Sequence, residues 1–150
     1  MCRSYNSPIK KRLALTQILM EKNKIMDYKE KIGTKENPLT LKTPPLSSEY
    51  TMHVAEKDDV EILVCTVGKT ILHYDIRCLK DLHEMLKAHG DWMLLGSKDQ
   101  KVATKEGTVE HWGRSEANPV GGWYGLKNGF KGRFGMYIPP LMEAIGLAEV

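Results

Sequence analysis

Between Val60 and Arg77 an apolar run breaks off, and a second strand-like run follows it. Val60-Glu61-Ile62-Leu63-Val64-Cys65-Thr66-Val67 is β-branched and apolar, Gly68-Lys69 interrupts it, and Thr70-Ile71-Leu72-His73-Tyr74-Asp75-Ile76-Arg77 resumes it. Two such runs around a two-residue glycine turn predict a β-hairpin over 60–77. Successive side chains point to opposite faces, so Leu72, Tyr74 and Ile76 should face the core. His73 and Asp75 then lie outside or at an edge. From Leu79 the period lengthens: Leu79, Leu82, Met85, Leu86 and Ala88 recur at helical spacing until Gly90, which predicts a helix over 78–89. An earlier helical pattern covers 8–32, with Ser7-Pro8 as its start, Leu15, Ile18, Leu19, Ile25, Tyr28 and Ile32 as its apolar face, and Gly33 as its stop.

The remaining segments carry weaker patterns. Asn37-Pro38, Thr43-Pro44-Pro45 and Ser47-Ser48 punctuate 34–50, which reads as a linker. Trp92-Met93-Leu94-Leu95-Gly96 suggests a third strand, and 97–107 a lysine-rich surface loop. Thr108–Trp112 fits either a strand or a short helix. The expected fold is α+β: a compact domain over 51–150, in which a small antiparallel sheet built on the hairpin 60–77 packs with helices. A basic amphipathic helical extension over 1–33 precedes it.

Composition narrows the setting. A chain of 150 residues, 41% hydrophobic and 27% charged, has the proportions of one globular domain. No apolar run approaches the roughly 18 residues of a membrane span, so no membrane partner is expected. Cys2, Cys65 and Cys78 are too few and too spread for a disulfide framework, and a reducing cytoplasm is the expected compartment. Cys78, His83 and His73 lack the spacing of a metal site, and neither metal nor cofactor is expected. The net charge of +3 is unevenly spread, with ten bases against four acids in residues 1–42.

One stretch is unlike generic core or surface. Residues 121–137, Gly-Gly-Trp-Tyr-Gly-Leu-Lys-Asn-Gly-Phe-Lys-Gly-Arg-Phe-Gly-Met-Tyr, mix glycine, aromatic rings and positive charge with no carboxylate. Cations pair with phosphates, rings stack on bases, and glycine lets backbone amides approach an anion. Lys127, Lys131 and Arg133, with Trp123 and Phe130 as stacking groups, are therefore the candidate nucleic-acid contacts, and DNA or RNA the candidate partner. The same residues also fit a bland reading, with the rings as core and the glycines as turns. A third reading is a protein-interaction module anchored by exposed Trp123 and Tyr124. For an enzyme the candidate acid–base groups are His73, Asp75, Asp91, Glu110 and His111. None has a spacing that catalysis demands, so no catalytic residue is assigned.

Two family resemblances attach to the C-terminal half. Pro139-Pro140, the apolar Leu141, Met142 and Ile145, then Gly146 and Leu147-Ala148-Glu149-Val150 are similar to the passage from recognition helix to wing in winged-helix domains. Ala88-His89-Gly90-Asp91-Trp92 and Asn118-Pro119-Val120-Gly121-Gly122-Trp123-Tyr124-Gly125-Leu126-Lys127, within His83–Val150, resemble an uncharacterised bacterial family, which implies a bacterial cytoplasmic setting and no particular activity.

Overall fold

A computed structural model describes residues 1–4, 28–126 and 131–150. Its centre is a four-stranded antiparallel meander in the order β2-β3-β4-β5: β2 Leu39–Lys42, β3 Glu49–Lys57, β4 Val60–Val67 and β5 Thr70–Asp75. The β4–β5 hairpin starts at Val60 and has the expected turn, with Val67 opposite Thr70 and Gly68 at φ +59°, but it ends at Asp75, two residues short of the expected 77. β3 and β4 are joined by Asp58-Asp59, with both residues at positive φ. Asp tolerates that conformation better than most non-glycine residues.

Register places the core on one face. Met52 lies opposite Cys65 and Val54 opposite Leu63, while Leu63 faces Tyr74 and Cys65 faces Leu72. Met52, Leu63, Cys65 and Tyr74, with Tyr50 and Leu41, belong to the hydrophobic core and Val54 and Leu72 pack against it, as the period-two reading of β5 requires.

The helices fill that core. The described part of α1 covers residues 28–32, and the rest of the N-terminal helical pattern lies outside the described residues. α2 spans Cys78–His89 and ends at Gly90, whose left-handed conformation sends its N–H to the Leu86 carbonyl. α3 is Val109–Arg114, started by Thr108, whose hydroxyl accepts the His111 N–H at 3.2 Å. The ambiguous segment at 108–112 is thus helical. α4 spans Phe134–Ala144, and seven of its eleven residues are buried. The short β1, Arg3–Ser4, pairs antiparallel with β6, Ala148–Glu149, so the two ends of the chain meet.

Three expectations are corrected. Residues 34–50 are not a linker, because Leu39–Lys42 pair with β3 and Leu41 and Tyr50 are core residues. The folded unit therefore begins before Thr51; Ile32 is already fully buried and the Gly33 carbonyl accepts the Val54 N–H at 3.1 Å. Trp92–Gly96 adds no strand to the sheet, since Met93 and Leu94 make only isolated bridges to Cys2 and Thr108. The end of the chain also departs from a winged helix. α4 starts at Phe134 with Pro139 and Pro140 inside it, it is packed into the core, and β6 pairs with β1.

Candidate nucleic-acid interface

The glycine-rich stretch closes the free edge of β5. Asp75 donates its N–H to the Tyr124 carbonyl at 2.9 Å, and Leu126 donates to the His73 carbonyl at 3.0 Å. The rings beside it turn inward. Tyr124 and Phe134 are 1% exposed and stack at 5.5 Å between centroids, with Trp112 5.6 Å from Tyr124 and Tyr74 6.2 Å from Phe134. Tyr124 donates its hydroxyl to Asp81 at 2.9 Å, and that buried carboxylate also accepts from Arg77 Nε at 2.8 Å. Burial and the Asp81 carboxylate both push the Tyr124 phenol up, so it stays neutral. Tyr124 is therefore not an exposed anchor, which corrects one premise of the protein-interaction reading.

The glycines serve close packing inside the protein. A methyl at Gly132 would overlap the backbone of Gln100 and Asp99, one at Gly135 would lie 2.5 Å from the Leu95 carbonyl oxygen, and one at Gly125 would lie 2.5 Å from Lys131 Cβ. The chain at 131–135 is thus pressed against the loop at 95–100.

A buried ion pair governs that contact. Glu110 is fully buried; its Oε1 accepts N–H groups from Lys98 and Gly135, each at 3.3 Å, and its Oε2 accepts Arg114 Nε at 3.2 Å. Gly135 is the second residue of α4, so Glu110 occupies the place at that helix terminus where an external anion would bind. Burial pushes the Glu110 carboxyl up; Arg114 and the three hydrogen bonds pull it down by less. Arg114, with a side chain 9% exposed, reaches three loop carbonyls: Lys98 at 2.7 Å, Asp99 at 2.9 Å and Val102 at 2.8 Å. Its guanidinium also lies 4.5 Å from the centroid of the Trp123 ring.

Of the five residues expected to contact nucleic acid, Arg133 contacts this loop directly, Trp123 lies over the arginine that binds it, and Lys131 precedes Gly132, which packs on it. Trp123 is half-buried over Arg114, and Lys131 is half-buried with its stem against Gly125. Arg133 is exposed at φ +62°; its N–H donates to the Lys98 carbonyl at 2.9 Å and its side chain lies 3.8 Å from Asp99. Lys127 and Phe130 lie outside the described residues. Sequence reading left Lys98 and Lys101 as generic loop lysines and passed over Arg114. Both lysines are exposed on the loop that Arg114 binds.

The other candidate centres have different roles. Asp75 accepts the Arg77 N–H at 3.0 Å, a turn that leads into α2. His111 is bonded through Nδ1 to Thr104 at 3.0 Å. Cys2 and Cys65 are buried, which pushes each thiol up to about 12, and Cys78 is fully buried. Among the described residues no group of three His, Cys, Asp or Glu side chains is placed to hold a metal, and no helix is long and apolar enough to cross a membrane.

A family model matches residues 31–150, which is most of the chain and nearly all of its described fold. The protein belongs to the family of unknown function DUF6855. No curated protein and no solved structure matches it. The match begins within α1 and takes in β2, so the DUF6855 region includes the segment that had read as a linker. It leaves out β1, the strand that pairs with β6.

Proposed function

We propose that this DUF6855 chain is a non-enzymatic binding module that contacts the phosphates of nucleic acid through the rim around residues 98–102 and 131–133. The observation that carries the reading is that Arg133 contacts the loop that carries Lys98 and Lys101, with Gly132 packed on that loop beside Lys131 and Trp123 seated on the arginine that binds it. Asp99 lies within this set, 3.8 Å from Arg133. Because Glu110 already takes the Gly135 amide at the start of α4 and the Lys98 amide of the loop, phosphate contact falls to the side chains. Lys127 and Phe130 join the set by their place in the sequence. A bacterial cytoplasmic setting belongs to the same reading; three free, buried cysteines support a reducing compartment.

Binding of this kind follows counterion release. With about four phosphate contacts on a single strand, affinity should fall roughly 50-fold between 50 and 200 mM salt. The test is a mobility-shift titration with labelled mixed-sequence DNA and RNA, comparing wild type with Lys127→Ala/Lys131→Ala/Arg133→Ala. The variant should bind more weakly at low salt and show a shallower salt slope. Equal binding by both proteins would refute the reading.

A further inference from the structure

We propose that Arg114 is the positioning residue of this rim, holding the loop that carries Lys98 and Lys101 in register with Trp123 without itself touching the nucleic acid. The inference rests on the nucleic-acid reading above. The Arg114 side chain is 9% exposed and four of its five N–H groups are committed: Nε to Glu110, Nη1 to the Val102 carbonyl, Nη2 to the carbonyls of Lys98 and Asp99. Its guanidinium carbon lies over the Trp123 ring, 4.5 Å from the centroid. A phosphate engaging the fork through two N–H groups would have to displace at least one of these bonds.

What Arg114 supplies is geometry. A planar fork can span three carbonyls of one loop while its Nε stays on a carboxylate; an ammonium cannot. Glu110 sets the fork in turn, because its other oxygen is held by the amides of Lys98 and Gly135. The loop, the start of α4 and the Trp123 ring are thereby tied to a single side-chain pair on α3. Gly132 seats against Gln100 and Arg133 donates its N–H to Lys98, so displacing the loop also shifts the backbone beneath Lys131 and Arg133.

The test separates positioning from contact by using a change that keeps the charge. Wild type, Arg114→Lys, Arg114→Gln and Lys98→Ala/Lys101→Ala are titrated with the same oligonucleotides across a salt series. A positioning role predicts that Arg114→Lys fails to rescue and binds like Arg114→Gln. It also predicts that Arg114→Gln loses about two contacts of salt slope, roughly 1.5 log units per log unit of salt, as the double lysine variant does. Near-wild-type binding by Arg114→Lys, or a loss of only one contact in Arg114→Gln, would make Arg114 a direct ligand and overturn the proposal. A second measurement needs no substitution at Arg114. In the free wild-type protein the amides of Lys98 and Val102 should exchange far more slowly than those of the Glu106-Gly107 turn, and exchange at unprotected rates overturns the proposal even where the Arg114 variants do not fold. The two readings fail differently: the nucleic-acid reading falls if the triple variant of the preceding subsection binds as wild type, whereas positioning alone falls if that variant weakens and Arg114→Lys does not.

Discussion

Glu110 shows how one buried charge can serve structure at a cost in stability. It accepts three hydrogen bonds, one of them from Arg114, yet burial still raises its carboxyl above the ordinary value of 4.5. Desolvation offsets much of the attraction in a buried ion pair of this type, so the pair is weak evidence of net stability. The sign follows from linkage. With the folded value above the unfolded one, the folded state holds the proton more tightly in the window just above 4.5, so this group's contribution to stability falls as pH rises through that window and levels off beyond it. Urea unfolding of wild type and Glu110→Gln, measured in steps from about pH 4.5 to pH 7, checks this; wild type should lose stability relative to the variant as pH rises. A difference independent of pH would contradict it. Legibility at this scale was poor. Glu110 and Arg114 sit four apart on a six-residue helix, a spacing common on solvated surfaces, and nothing local marks them as buried.

Among the elements, α4 departs furthest from local propensity. Pro139 and Pro140 remove two of its internal N–H donors, which argues for a helix starting at Pro139 rather than running through it. The helix forms from Phe134 because its sides are buried and its start is tied to the sheet. Tyr74 donates its hydroxyl to the Gly132 carbonyl at 2.9 Å and Tyr50 donates to the Tyr137 carbonyl at 2.7 Å. The entry to α4 tolerates little added volume. Gly132→Ala would drive a methyl into the backbone of Gln100 and should cost about 1–3 kcal/mol, read as a lower urea midpoint at unchanged slope. Wild-type stability for that variant would show that the loop at 98–102 is not pressed against residue 132. The hairpin 60–77 and the helix 78–89 were legible because each declares itself within its own residues, by period and by a glycine stop. β3 was missed although Tyr50, Met52 and Val54 alternate, because its turn is Asp-Asp and its ends are charged.

Across the whole molecule the ends are stitched together. β1 pairs with β6, Cys2 exchanges backbone hydrogen bonds with Met93 at 2.7 and 2.9 Å, and Arg3 pairs with Glu149 while its guanidinium lies 4.8 Å from the Trp92 ring centroid. Cys2 and Ala148 are fully buried. Removing residues 1–4 should therefore lower stability by about 1–3 kcal/mol, through lost burial and the exposed edge of β6, with the rest of the fold intact by far-UV circular dichroism. Unchanged thermal unfolding would show that β1 is dispensable. The candidate rim also exists only at this scale, because Trp123, Arg114, Lys98 and Arg133 come from four segments that meet at one loop.

Pattern by itself determined the α+β class, the β4–β5 hairpin with its inward face, the helix over 78–89 and the glycine–aromatic–basic character of 121–137. Those features depend on neighbours within a few residues, where period and backbone preference act. Only the tertiary structure decided that 39–42 is a strand, that Tyr124 and Phe134 are core, and that the glycines at 125, 132 and 135 are filled by the protein itself. The same residue types serve a buried cluster or an exposed rim equally well. Which they become is set by what the rest of the chain packs against them.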